Sequence, residues 1–365
     1  MNSLRDRFLI RFRRFFPFFI RYLQIMNFKA IIYMGAVLAV ALLPSCKKDD
    51  DKTSTKDYLS GTFTFDIPVY LAAGQTVTLV PSGVTIPGNS TDAGLGYYWY
   101  SSWDSTRDTT RVIGGAGDGS WTIKTPLEIG CYKVTGVAFG PSEYYTSSGS
   151  VEFYVVDPSL GTTVSGLGIE KGDPHYLDLR DIKTYYTTEA GDLTWMKNNL
   201  GWNGAGKSYR DSEIMDDIFG RFYSWEEARQ ACPEGWRLPS DAEFAGLASS
   251  VSEGSVFEAF TDFKGVAGDL MVNASFLGDR MWEFWPQVPI TNKAGFCAIP
   301  VGYAVSQGDD VTKFTGAENY AAFWTSDEEG DNGFYRYFYV KQNDVLSGKG
   351  NKASFRASVR CVKER

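Results

Sequence analysis

Few side chains in this 365-residue sequence have the types and spacing that catalysis requires. His175 is its one histidine, so a zinc site built from several histidines is excluded, and a Ser-His or Cys-His triad would depend on this single imidazole. The sequence contains neither the G-x-S-x-G motif of α/β-hydrolases nor a C-x-x-C pair. A pair of carboxylates for glycoside hydrolysis is left open, because the fold sets the distance between them.

Two other groups of residues could bind a ligand without reacting with it. Trp282 and Trp285 lie in one aromatic segment, and their rings could stack on a sugar or contact a protein. Asp327, Glu328 and Asp331 supply the hard oxygen atoms that Ca²⁺ prefers, although their spacing is not that of an EF-hand loop. The alternatives are that the rings pack on the core and that the acidic residues form a solvated hairpin turn. Calcium is the one cofactor that the sequence suggests.

The first 45 residues have the order of a bacterial export leader. Lys29 precedes an apolar run at 30–43, which is shorter than a comfortable membrane span. The run leads through Leu43, Pro44 and Ser45 to Cys46, which resembles the site at which bacterial lipoproteins are cleaved and lipidated. We therefore expect residues 1–45 to be a signal peptide and Cys46 to carry the lipid, with residues 46–57 as a solvated tether. The alternative is an ordinary signal peptide followed by an incidental cysteine.

Charge and composition limit the classes of partner that the chain could bind and indicate where in the cell it is located. Residues 1–25 are rich in Arg and Phe, unlike a usual leader, which favours Met26 as the true start. The leader holds seven of the 36 basic and one of the 44 acidic residues, so the mature chain would carry a net charge of −14. Such acidity disfavours nucleic-acid binding. Acidic residues at 49–51 resemble the surface-export signal of Bacteroidota lipoproteins, which predicts an outer-membrane lipoprotein on the cell surface.

Residues 58–157 alternate apolar and polar side chains in short runs separated by Gly, Pro and Asn. This pattern predicts an all-β, immunoglobulin-like sandwich. Trp99 stands where such a sandwich has its core tryptophan, and residues 130–134 resemble the G-x-Y-x-V strand of bacterial immunoglobulin-like and PKD-type modules. Tyr132 would then form a tyrosine corner. Residues 158–174 are rich in small and polar residues and are predicted to form a linker.

The remainder of the chain has the pattern of an α+β domain. Ser224 followed by Glu227, and Ser240 followed by Glu243, have the spacing of capping boxes and predict two short helices. Apolar residues after Ser240 recur at helical spacing, whereas residues 334–340 alternate as in a strand.

Five ordered blocks in this part resemble the Fibrobacter succinogenes major paralogous domain family, which is common in Bacteroidota surface proteins. The resemblance predicts one domain over residues 175–365. It departs from the family pattern at Asn198, Arg237 and Cys297, where Glu, His and Ser are usual. The blocks are 195–200, 223–225 with 231–244, 295–300, 323–326 and 358–363.

The family is similar to C-type-lectin-like folds, in which a W-x-x-A-x-x-x-C helix is joined by a disulfide to the C-terminal strand. Trp225 and Ala228 fill the first two places of this pattern, and the resemblance implies a disulfide between Cys232 and Cys361. Cys131 and Cys297 are then free thiols, and Cys131 is expected to be buried.

These features together predict a non-enzymatic surface protein for binding or adhesion, whose ligand is a glycan or a protein. A carbohydrate-active enzyme and a structural subunit of a surface assembly are the alternatives. An exposed aromatic cluster at Trp282 and Trp285 would favour binding, and two carboxylates converging in a cleft would favour hydrolysis. A long unpaired strand edge would favour assembly.

Overall fold

Strands dominate the part of the chain that the computed structural model describes, all of which belongs to one unit, Lys56–Arg365. Within the described ranges, no helix is long and apolar enough to cross a membrane. The expected leader, the expected lipidation site Cys46 and the side chain of Trp285 lie outside these ranges. The described residues are 56–103, 119–282, 288–307 and 311–365.

The amino-terminal region is built entirely of strands in the described residues. Its largest sheet has the order β3-β10-β8-β6, in which β3 runs parallel to β10 and the other pairs are antiparallel; β1–β9, β2–β5 and β4–β7 form smaller pairs. The strands are β1 (Asp57–Tyr58), β2 (Ser60–Thr64), β3 (Tyr70–Ala72), β4 (Thr76–Leu79), β5 (Ser82–Thr85), β6 (Gly96–Ser101), β7 (Trp121–Lys124), β8 (Gly130–Phe139), β9 (Tyr144–Tyr145) and β10 (Ser147–Val156).

Trp99 lies at the centre of the core that these strands enclose. Its ring contacts Phe63 and Phe65 edge-on at 5.7 and 5.0 Å between centroids, and its Nε1 donates to the Gly119 carbonyl at 2.9 Å. The indole therefore buries a large apolar surface while its one polar group is satisfied.

The first four residues of β8 alternate between half-buried and exposed side chains, so this part of the strand has one face in solvent. The Tyr132 hydroxyl donates to the Glu128 carbonyl at 2.9 Å, which is the hydrogen bond expected of a tyrosine corner. The prediction that Cys131 is buried is wrong, because Cys131 and Lys133 point to solvent on either side of Tyr132 in this part of the strand. The thiol is nevertheless free, as predicted, and so is that of Cys297.

The carboxy-terminal region combines four small sheets with three short helices in the described residues. The sheet orders are β12-β13-β14-β23, β18-β17-β22, β19-β20-β21 and β11-β15-β16. Two 3₁₀ helices lie at Tyr209–Asp211 and Glu213–Asp217. The other elements are β11 (Val164–Ser165), β12 (His175–Asp178), β13 (Lys183–Ala190), β14 (Leu193–Met196), α1 (Trp225–Ala231), α2 (Asp241–Val251), α3 (Ala267–Leu270), β15 (Ser275–Phe276), β16 (Asp279–Arg280), β17 (Tyr303–Gln307), β18 (Val311–Thr315), β19 (Tyr320–Glu329), β20 (Asn332–Tyr339), β21 (Val345–Asn351), β22 (Phe355–Arg356) and β23 (Val362–Glu364).

Helices α1 and α2 begin at the two predicted capping boxes. The Ser224 hydroxyl accepts from the Glu227 amide while the Glu227 carboxylate accepts from the Ser224 amide, and Ser240 and Glu243 repeat the arrangement. Both boxes satisfy backbone N–H groups that the first turn leaves without partners. The residues that α2 buries include the predicted apolar face, Phe244, Leu247, Ala248 and Val251.

A fully buried ion pair fixes the start of α2 against β20. Arg336 Nε donates to Asp241 Oδ1 at 2.7 Å, and its Nη2 donates to the other oxygen of the same carboxylate. Its Nη1 reaches the Thr261 carbonyl at 2.5 Å, and the Phe260 amide donates to Asp241 Oδ2. The carboxylate and guanidinium are thus bidentate and further hydrogen-bonded, as a buried pair requires.

The predicted disulfide between Cys232 and Cys361 is confirmed. Cys232 follows α1 and Cys361 directly precedes β23, and their Cα atoms are 5.8 Å apart. The bond joins residues 129 positions apart and so ties the first helix to the last strand.

Replacing both Cys232 and Cys361 by alanine is expected to lower the free energy of unfolding by about 2–5 kcal/mol, because the unfolded chain loses a long-range cross-link. Chemical denaturation followed by tryptophan fluorescence measures the change. The matched control is Cys131→Ala, which removes an exposed free thiol and is expected to change stability by less than about 0.5 kcal/mol. Equal stabilities of the double variant and the control would contradict a stabilising role of the bond.

Candidate functional site

The binding prediction required Trp282 to lie on the surface, but Trp282 is buried. Its side chain is 0% exposed, it belongs to the same buried cluster as Leu270 and Phe296, and its Nε1 donates to the Ala298 carbonyl at 3.3 Å. The ring is therefore part of the core and offers no face to a ligand. Trp285, the other residue of this prediction, lies outside the described residues.

Two of the three carboxylates predicted to hold Ca²⁺ already have partners within the protein. Asp327 Oδ2 accepts from the Asp241 amide at 2.6 Å, and Glu328 forms an ion pair with Lys352. Asp331 is exposed at the hairpin between β19 and β20. No three His, Cys, Asp or Glu side chains in the described ranges are placed to hold a metal ion. The segment is thus a hairpin turn with a lysine-paired carboxylate, and the calcium prediction gains no support.

Most of the family-like blocks converge on the buried guanidinium of Arg360. This side chain is 1% exposed and donates from Nε to Asn199 Oδ1 at 2.7 Å. Its Nη1 donates to the carbonyls of Met196, at 3.1 Å, and Phe296, and its Nη2 donates to that of Cys297 at 3.0 Å. The acceptors come from the blocks at 195–200 and 295–300, and the donor comes from the block at 358–363.

The positive charge of Arg360 is held by carbonyl groups and aromatic rings. The guanidinium carbon lies 4.7 Å from the ring centroid of Phe296 and 5.2 Å from that of Phe323, which belongs to the block at 323–326. Burial lowers the pKa of Arg360 to about 9, so the group stays protonated at neutral pH. Four of the five family-like blocks therefore meet in the buried core around Arg360.

One face of the sheet β19–β20–β21 carries a continuous group of half-buried aromatic rings. Along β20, Phe334, Arg336 and Phe338 are buried on one face, and the alternate residues turn to the other. The rings on this second face continue onto β17 and β22 of the neighbouring sheet, and we call the whole group the tyrosine face: Tyr320, Tyr335, Tyr337 and Tyr339 from β19 and β20, with Tyr303 and Phe355.

The rings of the tyrosine face contact one another in a continuous series across strands of two sheets. Tyr320 and Tyr339 are directly paired across β19 and β20 and stack at 4.7 Å with 8° between planes. Tyr337 lies 6.5 Å from Tyr320 and 5.7 Å from Tyr335, which stacks on Phe355 at 4.6 Å. The rings thus form one aromatic surface, with Tyr337 in its middle.

Gly348 of β21 makes room for this arrangement. It pairs with Tyr335, and a Cβ atom at this position would lie 2.5 Å from the Tyr335 ring. Burial raises the pKa of Tyr335 to about 12, and burial with nearby Asp262 raises the pKa of Tyr337. Both hydroxyls therefore stay protonated at neutral pH, where they can donate as well as accept hydrogen bonds.

A cavity of about 920 Å³ is lined by residues 68–72 at β3, by residues 157–160 after the end of β10, and by residues 181–186 and 211–218. We call it the acidic cavity, because Lys183 is the one basic side chain among its described lining residues, whereas six carboxylates line it. These are Asp157, Asp181, Asp211, Glu213, Asp216 and Asp217.

Two of these carboxylates have oxygen atoms that are shielded from solvent. Asp216 leaves Oδ1 without a hydrogen-bond partner among the described residues, while its Oδ2 accepts from Arg221 Nη1 at 2.5 Å. The backbone amide and the side chain of Lys183 favour the charged form of Asp181. Burial raises the pKa of both carboxyls, because it penalises the charged form more than the neighbouring cations favour it. Neither residue belongs to a recognisable sequence motif, so their burial could not be predicted from the sequence.

The residues from Gly201 to Ser208 have the spacing of a P-loop, G-x-x-x-x-G-K-S. The segment is followed by a three-residue 3₁₀ helix instead of the α-helix that cradles phosphate. Lys207 pairs through both backbone groups with Phe222, at 2.9 and 3.0 Å. The match in spacing therefore has no phosphate-binding structure behind it.

Comparison with known proteins supports the family resemblance. Residues 188–363 match the model of the Fibrobacter succinogenes major domain, a span that contains all five blocks. No curated protein shows significant similarity to the chain. A solved structure, a quinonprotein alcohol dehydrogenase-like protein from Bacteroides thetaiotaomicron, is 10% identical over 83% of this chain and 61% of its own length, with a TM-score of 0.15. The chain spans less than two thirds of that protein, and so low a TM-score carries no argument.

Arg360→Met is expected to lower the free energy of unfolding by about 3–5 kcal/mol, because it strands four buried acceptors. Thermal and denaturant unfolding measure the loss. Arg365→Met is the matched control, since this arginine side chain is 45% exposed and lies 3.8 Å from Glu189, so about 0.5 kcal/mol or less is expected. A similar small effect at both positions would show that the buried guanidinium does not organise the core.

Asp181→Asn is expected to stabilise the chain at pH 7. The folded-state pKa of Asp181 is raised, so its contribution to stability is present below the unfolded-state pKa and is lost as pH rises through the folded-state value. Asparagine cannot ionise, and the advantage of the variant should therefore shrink towards about pH 4. Denaturant unfolding at the two pH values tests this, with the exposed Asp331→Asn as the control. A variant that is less stable than the native chain at pH 7 would contradict the burial argument.

Proposed function

With residues 188–363 matched to the Fibrobacter succinogenes major domain, we propose that this chain is a cell-surface lipoprotein that binds a glycan and does not alter it chemically. The main support for a glycan ligand is the tyrosine face. Sugars present flat C–H surfaces that stack on aromatic rings, and their hydroxyls pair with phenol groups. Tyrosine suits this role because it offers a large rigid ring and a polar tip at a small loss of conformational entropy.

The geometry of the rings suits an extended ligand better than a single sugar. Neighbouring centroids on the face are 4.6–6.5 Å apart, from the Tyr335–Phe355 pair to the Tyr320–Tyr337 pair. A chain of several sugar units would contact successive rings, with Tyr337 near the middle of the contact. Because the protonated hydroxyl of Tyr337 can both donate and accept, it could pair with sugar hydroxyls in either sense.

The carboxy-terminal region is proposed to have a C-type-lectin-like organisation, and the amino-terminal strands an immunoglobulin-like one. The first proposal is supported by the disulfide from Cys232, at the end of α1, to Cys361, at the start of β23. The second is supported by the buried Trp99 and by the hydrogen bond of Tyr132 to Glu128. The amino-terminal strands would then act as a spacer between the anchor and the ligand site.

The anchor itself is proposed from the sequence. The apolar run at 30–43, followed by Ser45 and Cys46, supports lipidation of Cys46 in the outer membrane, and the acidic residues at 49–51 support export to the surface. A permanent lipid anchor suits an adhesin, because binding at the tyrosine face would then hold the cell at its ligand.

A glycan array probed with the full-length chain in non-ionic detergent tests the proposal. Tyr337→Ala is expected to weaken binding to retained glycans roughly tenfold, because it removes the central stacking contact. Tyr337→Phe should lose less, since it keeps the ring. Tyr100→Ala is the matched control, because this tyrosine is 46% exposed but lies outside the tyrosine face.

Three outcomes would contradict glycan binding at the tyrosine face. The array could retain no glycan, Tyr337→Ala could bind as tightly as the native chain, or Tyr100→Ala could weaken binding equally. Unfolding curves of each variant separate a lost contact from a lost fold, because Tyr337 also packs against the buried core.

A further inference from the structure

The surface that carries the tyrosine face continues onto the edge strand β18. Tyr303 of β17 pairs with Thr315 of β18. Val305 of β17 pairs with Lys313 on one side and with Phe355 on the other. Directly paired residues of antiparallel strands point to the same face of a sheet, as do residues two positions apart in one strand. Lys313 and Thr315 therefore share this face with the aromatic rings.

These two side chains offer polar donors that the protein itself does not use. Both are exposed, and neither forms a hydrogen bond or an ion pair with another residue in the described ranges. Lysine brings a positive charge and three donors, and threonine brings a hydroxyl group. Their Cα atoms are about 7 Å apart along the strand, a distance that the long, flexible lysine side chain can span. One acidic group could therefore contact both.

Other basic side chains at this surface are already engaged. Arg356, beside Phe355, donates from Nη1 to Glu227 Oε2 at 2.6 Å. Lys341, beyond the end of β20, has an interaction partner of its own. Among the described basic residues that flank the tyrosine face, Lys313 is thus the one whose charge is available to a ligand.

The carboxylate of Asp262, which acts on Tyr337, is partly compensated. Its Oδ1 accepts from the Ser347 amide at 3.1 Å, and its Oδ2 lies 3.7 Å from Lys264 Nζ. Tyr337 belongs to the sheet β19–β20–β21, whereas Lys313 belongs to the sheet β18–β17–β22. The uncompensated positive charge therefore lies at one end of the tyrosine face and the carboxylate near its middle.

We propose that the glycan bound at the tyrosine face is acidic. This inference rests on the proposed function and specifies the class of its ligand. An anionic group of the glycan, a carboxylate or a sulfate, lies against Lys313 and Thr315, and the adjoining sugar unit contacts Tyr303 and Phe355. Because the chain as a whole is acidic, it repels such a glycan at long range, so the attraction has to come from this local contact.

A glycan array that pairs each acidic glycan with its uncharged counterpart tests the proposal on the full-length chain in non-ionic detergent. Carboxylates are reduced to alcohols and sulfates are removed, which leaves the sugar backbone unchanged and tells the two acidic groups apart. The retained glycans are expected to be acidic, and loss of the acidic group should weaken binding roughly tenfold. Retention of neutral glycans alone, or equal binding of the paired forms, would overturn the inference.

Variants test the position of the acidic group. Lys313→Gln is expected to weaken binding of a retained acidic glycan roughly tenfold and to leave binding of its uncharged counterpart unchanged. Lys313→Arg should retain most of the affinity, because it keeps the charge. The matched control is Lys124→Gln, which removes the same charge from an exposed position on β7. Equal weakening by Lys313→Gln and Lys124→Gln would reveal an effect of net charge alone and would overturn the assignment.

Failure of this inference and failure of the proposed function give different results. If the array retains no glycan, the proposed function fails and the inference fails with it. If the array retains only neutral glycans and Tyr337→Ala weakens their binding, the proposed function stands and the inference is wrong.

Discussion

The guanidinium of Arg360 is a full charge that this fold holds in its core without a carboxylate among its hydrogen-bond partners. Its donors are satisfied only if the segments around Met196 and Phe296 arrive in one register with the segment before β23. Burying such a charge with donors unpaired would be far more unfavourable than exposing it. The position of this one side chain therefore constrains three distant parts of the chain, and the disulfide from Cys361, one residue later, adds α1 to them.

A second buried arginine connects this core to the proposed ligand surface. Arg336 of β20 is held by Asp241 of α2 on one face of the sheet, and its neighbours Tyr335 and Tyr337 turn to the other. The Arg336–Asp241 ion pair holds β20 against α2, and the alternation of side chains along β20 places Tyr335 and Tyr337 on the opposite face. Family-like residues thus build a rigid platform, while the rings that would contact a ligand lie outside the matching blocks.

Local features were predictable from the sequence, and features that depend on distant contacts were not. The capping boxes at Ser224 and Ser240 involve residues three positions apart, so their spacing alone identifies them. The disulfide followed from the family resemblance. Core packing and ligand binding were both open for Trp282, which is buried, whereas Cys131 was predicted to be buried and is exposed. A ring in a loop or a thiol in a strand can turn either way until its neighbours are known. The tyrosine face depends on the pairing register of β19 with β20, and the burial of the Asp181 and Asp216 oxygens depends on contacts between segments far apart in the chain.

Tyrosine nitration read by mass spectrometry would show whether the ligand lies on the tyrosine face. The chain is treated with tetranitromethane with and without a glycan that it retains. The glycan is expected to protect Tyr337 and Tyr339, whereas Tyr100 and Tyr145, both 46% exposed, should react equally in both samples. Unchanged reactivity of Tyr337 and Tyr339, or protection centred on Tyr100 and Tyr145, would contradict binding at the tyrosine face.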